Sequence, residues 1–293
     1  GNILSSFTYT YDDNDNRTRA LLGHANSAFV YGYDFMNRLT EESLFTSGSG
    51  AATQTNQFTA VAPGNARTLT TVPALQAPGS ANVGMIIPAN LGYRAVYDYD
   101  DAGNRLVKQV TRKVDGLDVV EQSVYAYDLE NRLTQEKVGN PADPTKLLDY
   151  GYDRNGNMTS IVTKVNQGGA YASSGQDLFT YDHTNRMSAF ERMNAAGTII
   201  GNHTYEYAPT GQRIRKTDTM ASLSPVEVFI CDGEDVVADY AGPVGGPYGH
   251  VKSYVQNLSI DSKICEIDAA GGLLAYFNTD ALGSVHQLVD SAN

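Results

Sequence analysis

The 293-residue chain has no tryptophan, only two cysteines, and charges on just 18% of its residues. Two cysteines, Cys231 and Cys265, exclude a disulfide framework; either one bridge or two free thiols remain, and two buried free thiols are expected. No apolar run is long enough to form a membrane-spanning helix. Positive charge is scarce: 21 Lys and Arg face 33 Asp and Glu, for a net charge of −12. Phosphate backbones would be repelled, so nucleic acid is excluded as a partner. Histidine is thinly spread, and His24, His183, His203, His250 and His286 show no H-E-x-x-H or other metal spacing. A G-x-S-x-G elbow is missing, and neither cysteine has a basic or helical neighbourhood to activate it. The acids are too dispersed to single out a pair for glycoside hydrolysis. The chain is therefore read as non-enzymatic, with no catalytic, cofactor-binding or metal-ligating residue.

What is plentiful is tyrosine, at 19, and glycine, at 28, within a composition that is 41% hydrophobic. That mixture favours strands and turns in a globular or solenoid protein over helices or disorder. The stretch Tyr97–Leu106, YDYDDAGNRL, shows how they are used. Tyr97 and Tyr99 lie two apart, on one face of a strand. Asp100 is placed to bond nearby backbone N–H groups and start a turn. Gly103 and Asn104 tolerate left-handed backbone, and Leu106 begins a returning strand.

This hairpin recurs. The other copies are YTYDDNDNR (Tyr9–Arg17), YGYDFMNRL (Tyr31–Leu39), YAYDLENRL (Tyr125–Leu133), YGYDRNGNM (Tyr150–Met158), FTYDHTNRM (Phe179–Met187) and the worn YEYAPTGQRI (Tyr205–Ile214). The motif residues are Tyr11, Asp12 and Arg17; Tyr33, Asp34 and Arg38; Tyr99, Asp100, Gly103 and Arg105; and Tyr127, Asp128 and Arg132. Further along they are Tyr152, Asp153 and Gly156; Tyr181, Asp182 and Arg186; and Tyr207, Gly211 and Arg213. One step aside, the second tyrosines recur every 22 to 29 residues, a solenoid-like period. Aspartate and arginine are five apart in Asp12–Arg17 and Asp100–Arg105, but four apart in Asp34–Arg38, Asp128–Arg132 and Asp182–Arg186. Loops of different length use different turns, so two alternating turn geometries are expected.

Four segments follow from the repeats: 1–44 with two copies, 45–91 without any, 92–220 with five, and 221–293 with a different pattern, all in one continuous repeat domain. Segment 45–91 is rich in Ala, Thr, Gly, Ser and Pro with Arg67 its only charge; it is either decayed repeats or, as preferred here, a long loop. Val226–Tyr240 reads as strand, Asp-Gly turn and strand, and Tyr276–Val289 as a last hairpin turning at Asp280–Gly283. The start at Gly1 in strand-like sequence suggests a fragment whose targeting signal lies elsewhere.

The Y-x-Y-D-x-x-G-N-R-L pattern resembles the YD repeat of Rhs proteins, teneurins and the shell-forming subunits of insecticidal Tc toxins. Val228–Tyr240, Tyr254–Asp261 and Tyr276–Asp290 resemble the end of the Rhs core. The resemblance implies an all-β ribbon of hairpins spiralling into a hollow shell, here a partial one, that encloses or presents a C-terminal toxin or effector. It also implies bacterial secretion or cell-surface display, and the remainder of the polypeptide as chief partner. The self-cleaving aspartyl site of many Rhs proteins lies beyond the core, so no catalytic residue transfers, Asp280 included.

About 20 strands at ~4.8 Å give roughly 100 Å of sheet, or a tube about 30 Å across, which a folded 100-residue domain with a radius of gyration of about 13 Å would fill. Such a section forms part of a wall and does not enclose a folded toxin alone. Three motif chemistries have plainer readings. Asp12, Asn14 and Asn16 mimic calcium-loop spacing, but Arg17 stands where the loop's glycine belongs, so turn capping is preferred. Asp–Arg pairs are read as ties within or between turns rather than a ligand ladder, and tyrosine stripes as cross-strand packing rather than sugar platforms. The alternative to a shell is a cell-surface module that binds glycans or a partner protein. Unpaired end strands also predict edge-to-edge self-association.

Overall fold

The computed structural model describes residues 7–22, 27–46, 91–223, 225–256, 263–279 and 285–290. Among these there are twenty strands and no helix, as the repeat pattern predicts. The first nine are β1 (Phe7–Tyr11), β2 (Arg17–Leu22), β3 (Ser27–Tyr33), β4 (Leu39–Thr46), β5 (Leu91–Tyr99), β6 (Arg105–Val114), β7 (Leu117–Tyr127), β8 (Leu133–Asn140) and β9 (Asp143–Tyr152). Next come β10 (Met158–Asn166), β11 (Tyr171–Tyr181), β12 (Met187–Asn194), β13 (Ile199–Tyr207) and β14 (Arg213–Asp218). The last six are β15 (Val226–Asp232), β16 (Asp235–Gly242), β17 (Gly249–Gln256), β18 (Lys263–Asp268), β19 (Leu273–Thr279) and β20 (Val285–Asp290).

Two compact units divide the chain: Gly1–Asp149 with Lys164–Ala172, and Tyr150–Thr163 with Ser173–Asn293. In the first, β1 to β9 pair antiparallel, each with its neighbour in sequence. In the second, β11 to β20 do the same. Strand β10 pairs with β9 to form the fifth hairpin.

Within the hairpins the register is constant. The second motif tyrosine faces the residue six places on: Tyr11 faces Arg17, Tyr33 Leu39, Tyr99 Arg105, Tyr127 Leu133, Tyr181 Met187 and Tyr207 Arg213. A bulge follows each of these pairs, which sharpens the local twist. Between hairpins the pairing also stops at a fixed place. The last pairs before the turn edge are Arg19–Val30, Glu41–Val96, Val107–Val124, Gln135–Asp149 and Ala189–Thr204, two residues short of the first residue of the returning strand.

The expected alternation of turn geometry is not observed. Every motif turn has one form, in which the first residue's N–H bonds the fifth residue's carbonyl and the fourth residue's N–H bonds the first carbonyl. The fourth residue always has positive φ: Asp15, Asn37, Asn131 and Asn185 at 60–62°, and Gly103, Gly156 and Gly211 at 86–102°. What shifts is the arginine, not the turn. In the four-apart copies it is the fifth turn residue, whereas in the five-apart copies Asn16, Asn104, Asn157 or Gln212 takes that place and arginine or Met158 opens the strand.

The expectation for segment 45–91 falls largely outside the described residues. The strands flanking it, β4 and β5, nevertheless pair directly, from Glu41–Val96 to Phe45–Leu91. Buried apolar residues are few and mostly small: Ala20, Ala28, Ala95, Val226, Cys265, Ala275 and Val289. Side chains on both faces are largely half-buried, so the polar contacts between neighbours matter more than in a thick core. Both cysteines are free; Cys265 is buried, while Cys231 is only half-buried, contrary to expectation.

Candidate functional site

The motif residues come together along the edge where the odd-to-even strand turns lie. In each turn the aspartate caps its own backbone. Asp128 Oδ1 accepts the N–H groups of Glu130 (3.0 Å) and Arg132 (2.9 Å), and Oδ2 accepts Arg132 Nε (2.7 Å). Asp34 and Asp182 make the same set with Arg38 and Arg186. In the other class an asparagine amide replaces the guanidinium: Asn16 on Asp12, Asn104 on Asp100 and Asn157 on Asp153. Asp12 thus directs its oxygens at the turn's own N–H groups and amide. Among the described residues no His/Cys/Asp/Glu group is arranged to hold a metal ion.

The fifth residue also reaches forward to the next turn. Asn16 Nδ2 donates to Asn37 Oδ1 (2.8 Å), Asn104 Nδ2 to Asn131 Oδ1 (2.7 Å) and Asn157 Nδ2 to Asn185 Oδ1 (2.9 Å). Arg38 Nη1 donates to the Asp100 carbonyl (2.7 Å), Arg186 Nη1 to the Ala208 carbonyl (3.2 Å), and Gln212 Nε2 to the Gly233 carbonyl (2.8 Å). Within each unit, amide and guanidinium steps therefore alternate from turn to turn. Of the ladder asparagines, Asn104 is named from sequence for its backbone and Asn16 for its calcium-like spacing, neither as a rung, and Asn37, Asn131, Asn157 and Asn185 are not named. Their signal was present in the shifting Asp–Arg spacing, which moves an asparagine between the fourth and fifth turn positions.

The second tyrosines hold the joints where backbone pairing has stopped. Tyr33 donates its hydroxyl to the Arg17 carbonyl (3.0 Å), Tyr99 to Leu39 (2.7 Å), Tyr127 to Arg105 (2.9 Å) and Tyr207 to Met187 (2.7 Å). Each takes the carbonyl of the residue that opens the preceding hairpin's return strand. The arginines also cover rings: Arg17 lies over Tyr9 and Tyr31, Arg105 over Tyr97, and Arg213 over Tyr205 and Phe229. Those at the fifth turn position, Arg38 and Arg186, cover Tyr99 and Tyr207 of the next hairpin.

The turn carboxyls are held below their ordinary range. For Asp12, Asp100 and Asp153 the largest cause is the asparagine amide, assisted by backbone N–H groups against a smaller effect of burial. For Asp182 it is the Thr184 hydroxyl, then the Arg186 N–H. Burial is the largest single influence on Asp34 and Asp128 and acts upward, but the bonds from Arg38 and Arg132 together outweigh it. A general acid or base works best near the ambient pH, and these groups are moved the other way.

Two further features lie off the ladder. Arg213, Phe229, Cys231, Asp239, Tyr254 and Lys263 line an open cavity of about 370 Å³. Within it Tyr254 donates to Asp239 (2.6 Å) and is pushed up to about 12, by burial first and then by that bond. At the turn tips Phe35 is 92% and Leu129 99% exposed, an unusual place for large apolar side chains.

No family model and no curated protein sequence matches the chain. Solved structures similar to it include the Tc toxin assembly TcdB2-TccC3, at 11% identity and a TM-score of 0.32 over 97% of this chain and 16% of that one. A Photorhabdus luminescens Tc holotoxin pore is similar at 10% identity and a TM-score of 0.33, over 98% and 16%. A porin-like protein from Bacteroides uniformis gives 10% and 0.33, over 66% and 86%. The chain thus spans about a sixth of the length of the Tc chains it resembles. No described helix is long and apolar enough to cross a membrane, which leaves β-barrel insertion unaddressed.

Proposed function

We propose that the chain is a section of a YD-repeat shell of the Rhs type, secreted or displayed at a bacterial surface. It serves as a non-enzymatic wall that encloses or presents a C-terminal effector of the same polypeptide. The observation that carries this reading is where the motif groups are directed. Turn carboxylates, fifth-position amides and guanidiniums, and four tyrosine hydroxyls bond their own hairpin or an adjacent one. A repeat whose polar chemistry faces its own neighbours is suited to building a continuous surface. Its mechanism is steric: the wall separates what it holds from what surrounds it.

The test is limited proteolysis of the native polypeptide. The effector portion should resist protease as long as this section stays folded, and become sensitive when turn aspartates are replaced by alanine. Equal cleavage of the effector with wild-type and substituted walls would refute the shell reading. A second reading, a surface module binding glycans or a protein, draws on the exposed Phe35 and Leu129 tips. Specific binding by this section on a glycan array, abolished by Phe35→Ser and Leu129→Ser, would favour it instead.

A further inference from the structure

In the second unit, strands β14 to β18 carry five lysines and arginines: Arg213, Arg215, Lys216, Lys252 and Lys263. Three meet a carboxylate, Arg215 with Glu206 (3.0 Å), Lys216 with Glu227 (3.4 Å) and Lys252 with Glu266 (2.9 Å). The other two have no such partner among the described residues, and they are the two that line the open cavity of about 370 Å³. Each lies against rings instead. Arg213 Cζ is 5.4 Å from the ring centroids of Tyr205 and Phe229, and Lys263 Nζ is 4.2 Å from that of Tyr254. A ring contact leaves N–H donors of both cations unused. The acceptors show a matching gap. Asp239 takes the Tyr254 hydroxyl on Oδ2 (2.6 Å), but its Oδ1 is buried with no hydrogen-bond partner. The same holds for Oε1 of Gln256, which faces Lys263 across the sheet. Glu234 stands exposed at the cavity and forms no ion pair among the described residues.

We propose that this cavity binds a sugar acid, its carboxylate held by Arg213 and Lys263 and its hydroxyls given to Asp239 and Glu234. The volume falls in the lower part of the range for small-molecule sites, roughly 300–1,000 Å³. A bare carboxylate fits the charges poorly, because Asp239 and Glu234 repel it across the same space. Hydroxyl groups change the balance. Each donates to a carboxylate, which leaves both cations for the one acid group. A donor inside the cavity also relieves the unpartnered Asp239 oxygen, an arrangement that is costly while it stays unmet. Phe229, Cys231 and Val236 supply apolar surface for the C–H face of the sugar ring. The ligand class is that of the glycan reading above, but no residue is shared with it. A negative result with Phe35→Ser and Leu129→Ser, or with the proteolysis test of the shell, therefore leaves this site standing.

The test is alkylation of Cys231 by iodoacetamide in the full chain, with the buried Cys265 as internal control. Saturating D-glucuronate should slow labelling of Cys231 about fivefold, because the bound ring covers the thiol, and leave Cys265 unchanged. D-Glucose, acetate and leucine should protect far less. Glucose lacks the carboxylate, acetate lacks the hydroxyls, and leucine carries an ammonium in their place. Lys263→Met should raise the glucuronate concentration for half-protection about tenfold, the weight of one charged hydrogen bond, and Lys263→Arg should restore most of it. Asp239→Asn should weaken glucuronate and strengthen acetate, opposite signs that a general loss of fold does not produce. Protection by glucuronate that Lys263→Met leaves unaltered would overturn the proposal. Equal protection by acetate or leucine would replace it with a simple anion or amino-acid site. No protection by glucuronate, in a chain whose Cys265 stays shielded, would also overturn it.

Discussion

The tyrosine hydroxyls offer the sharpest test of how the ribbon holds together. Consider Tyr33, Tyr99, Tyr127 and Tyr207 all changed to phenylalanine, leaving every ring in place. Each loses one neutral bond to a carbonyl, at 3.0, 2.7, 2.9 and 2.7 Å respectively. A typical intramolecular hydrogen bond contributes about 1 kcal/mol net, and more where the abandoned acceptor is poorly hydrated. Successive joints lie two strands apart, roughly 10 Å, so the effects should nearly add. The fourfold variant should lose about 4 kcal/mol in urea unfolding. Repeat arrays depart from two-state behaviour, so exchange of amides flanking each joint is the better local measure, with about a fivefold acceleration per lost bond. The control is Tyr97→Phe with Tyr205→Phe, whose rings meet Arg105 and Arg213 but whose hydroxyls make no hydrogen bond among the described residues. It should change stability by no more than about 0.5 kcal/mol per site. A fourfold loss below about 1 kcal/mol, or a control as damaging per site, would refute the claim that the hydroxyls close the joints.

Other perturbations test the ladder and the sheet beneath it. Asn131→Gly keeps the left-handed backbone and removes only the acceptor for Asn104, whereas Asn131→Ala also strains the turn; alanine should cost about 1 kcal/mol more in thermal or urea unfolding. Because the turn carboxyls have lowered folded-state pKa values, their contribution is complete above the unfolded value near 4 and is lost as pH falls through the folded values. The urea midpoint should therefore drop on acidification below about pH 4, less steeply in Asp182→Asn, and a midpoint rising with acid would contradict the assignment. Arg94, whose side chain is 11% exposed, grips Glu41 through two bonds of 2.7 and 2.8 Å. Arg94→Met should cost about 2 kcal/mol, and adding Glu41→Leu should restore part of it by removing the carboxylate left without its cation, though the buried Ser43 hydroxyl then loses its acceptor.

The sequence is unusually legible where a residue acts through its own backbone. Asp100 reads as a turn former because its side chain can reach only nearby N–H groups, and it bonds Asn104 N–H as expected. Strand number follows from the hairpin count for the same reason. The Asp–Arg spacing misleads about turn class because arginine is not always the residue that ends the turn. Its geometry is set instead by the left-handed fourth residue, and Asn37 and Gly103 are equivalent there despite their different places in the motif. The forward contacts had no local signal. Whether Asn104 meets Asn131 depends on how successive hairpins lie side by side, which spacing along the chain does not encode. Cys231 escapes for a related reason, since an alternating strand pattern fixes a face but not how deeply the neighbours cover it.

The ribbon's two long edges differ in the freedom they leave to the chain. One carries the interlocked turns, where Arg38 bonds the Asp100 carbonyl 62 residues on, as though nothing lay between. The other carries the links from one hairpin to the next: two residues, 115–116, between β6 and β7, four, 23–26, between β2 and β3, and 44, 47–90, between β4 and β5. Lengthening a link from 4 residues to 44 adds only about 2 kcal/mol of loop-closure entropy. New sequence can therefore enter at the linking edge without shifting the phase of the interlocked one. Foreign peptides, tags or recognition segments grafted there, for instance between Val114 and Leu117, should be carried as passengers on an unaltered frame.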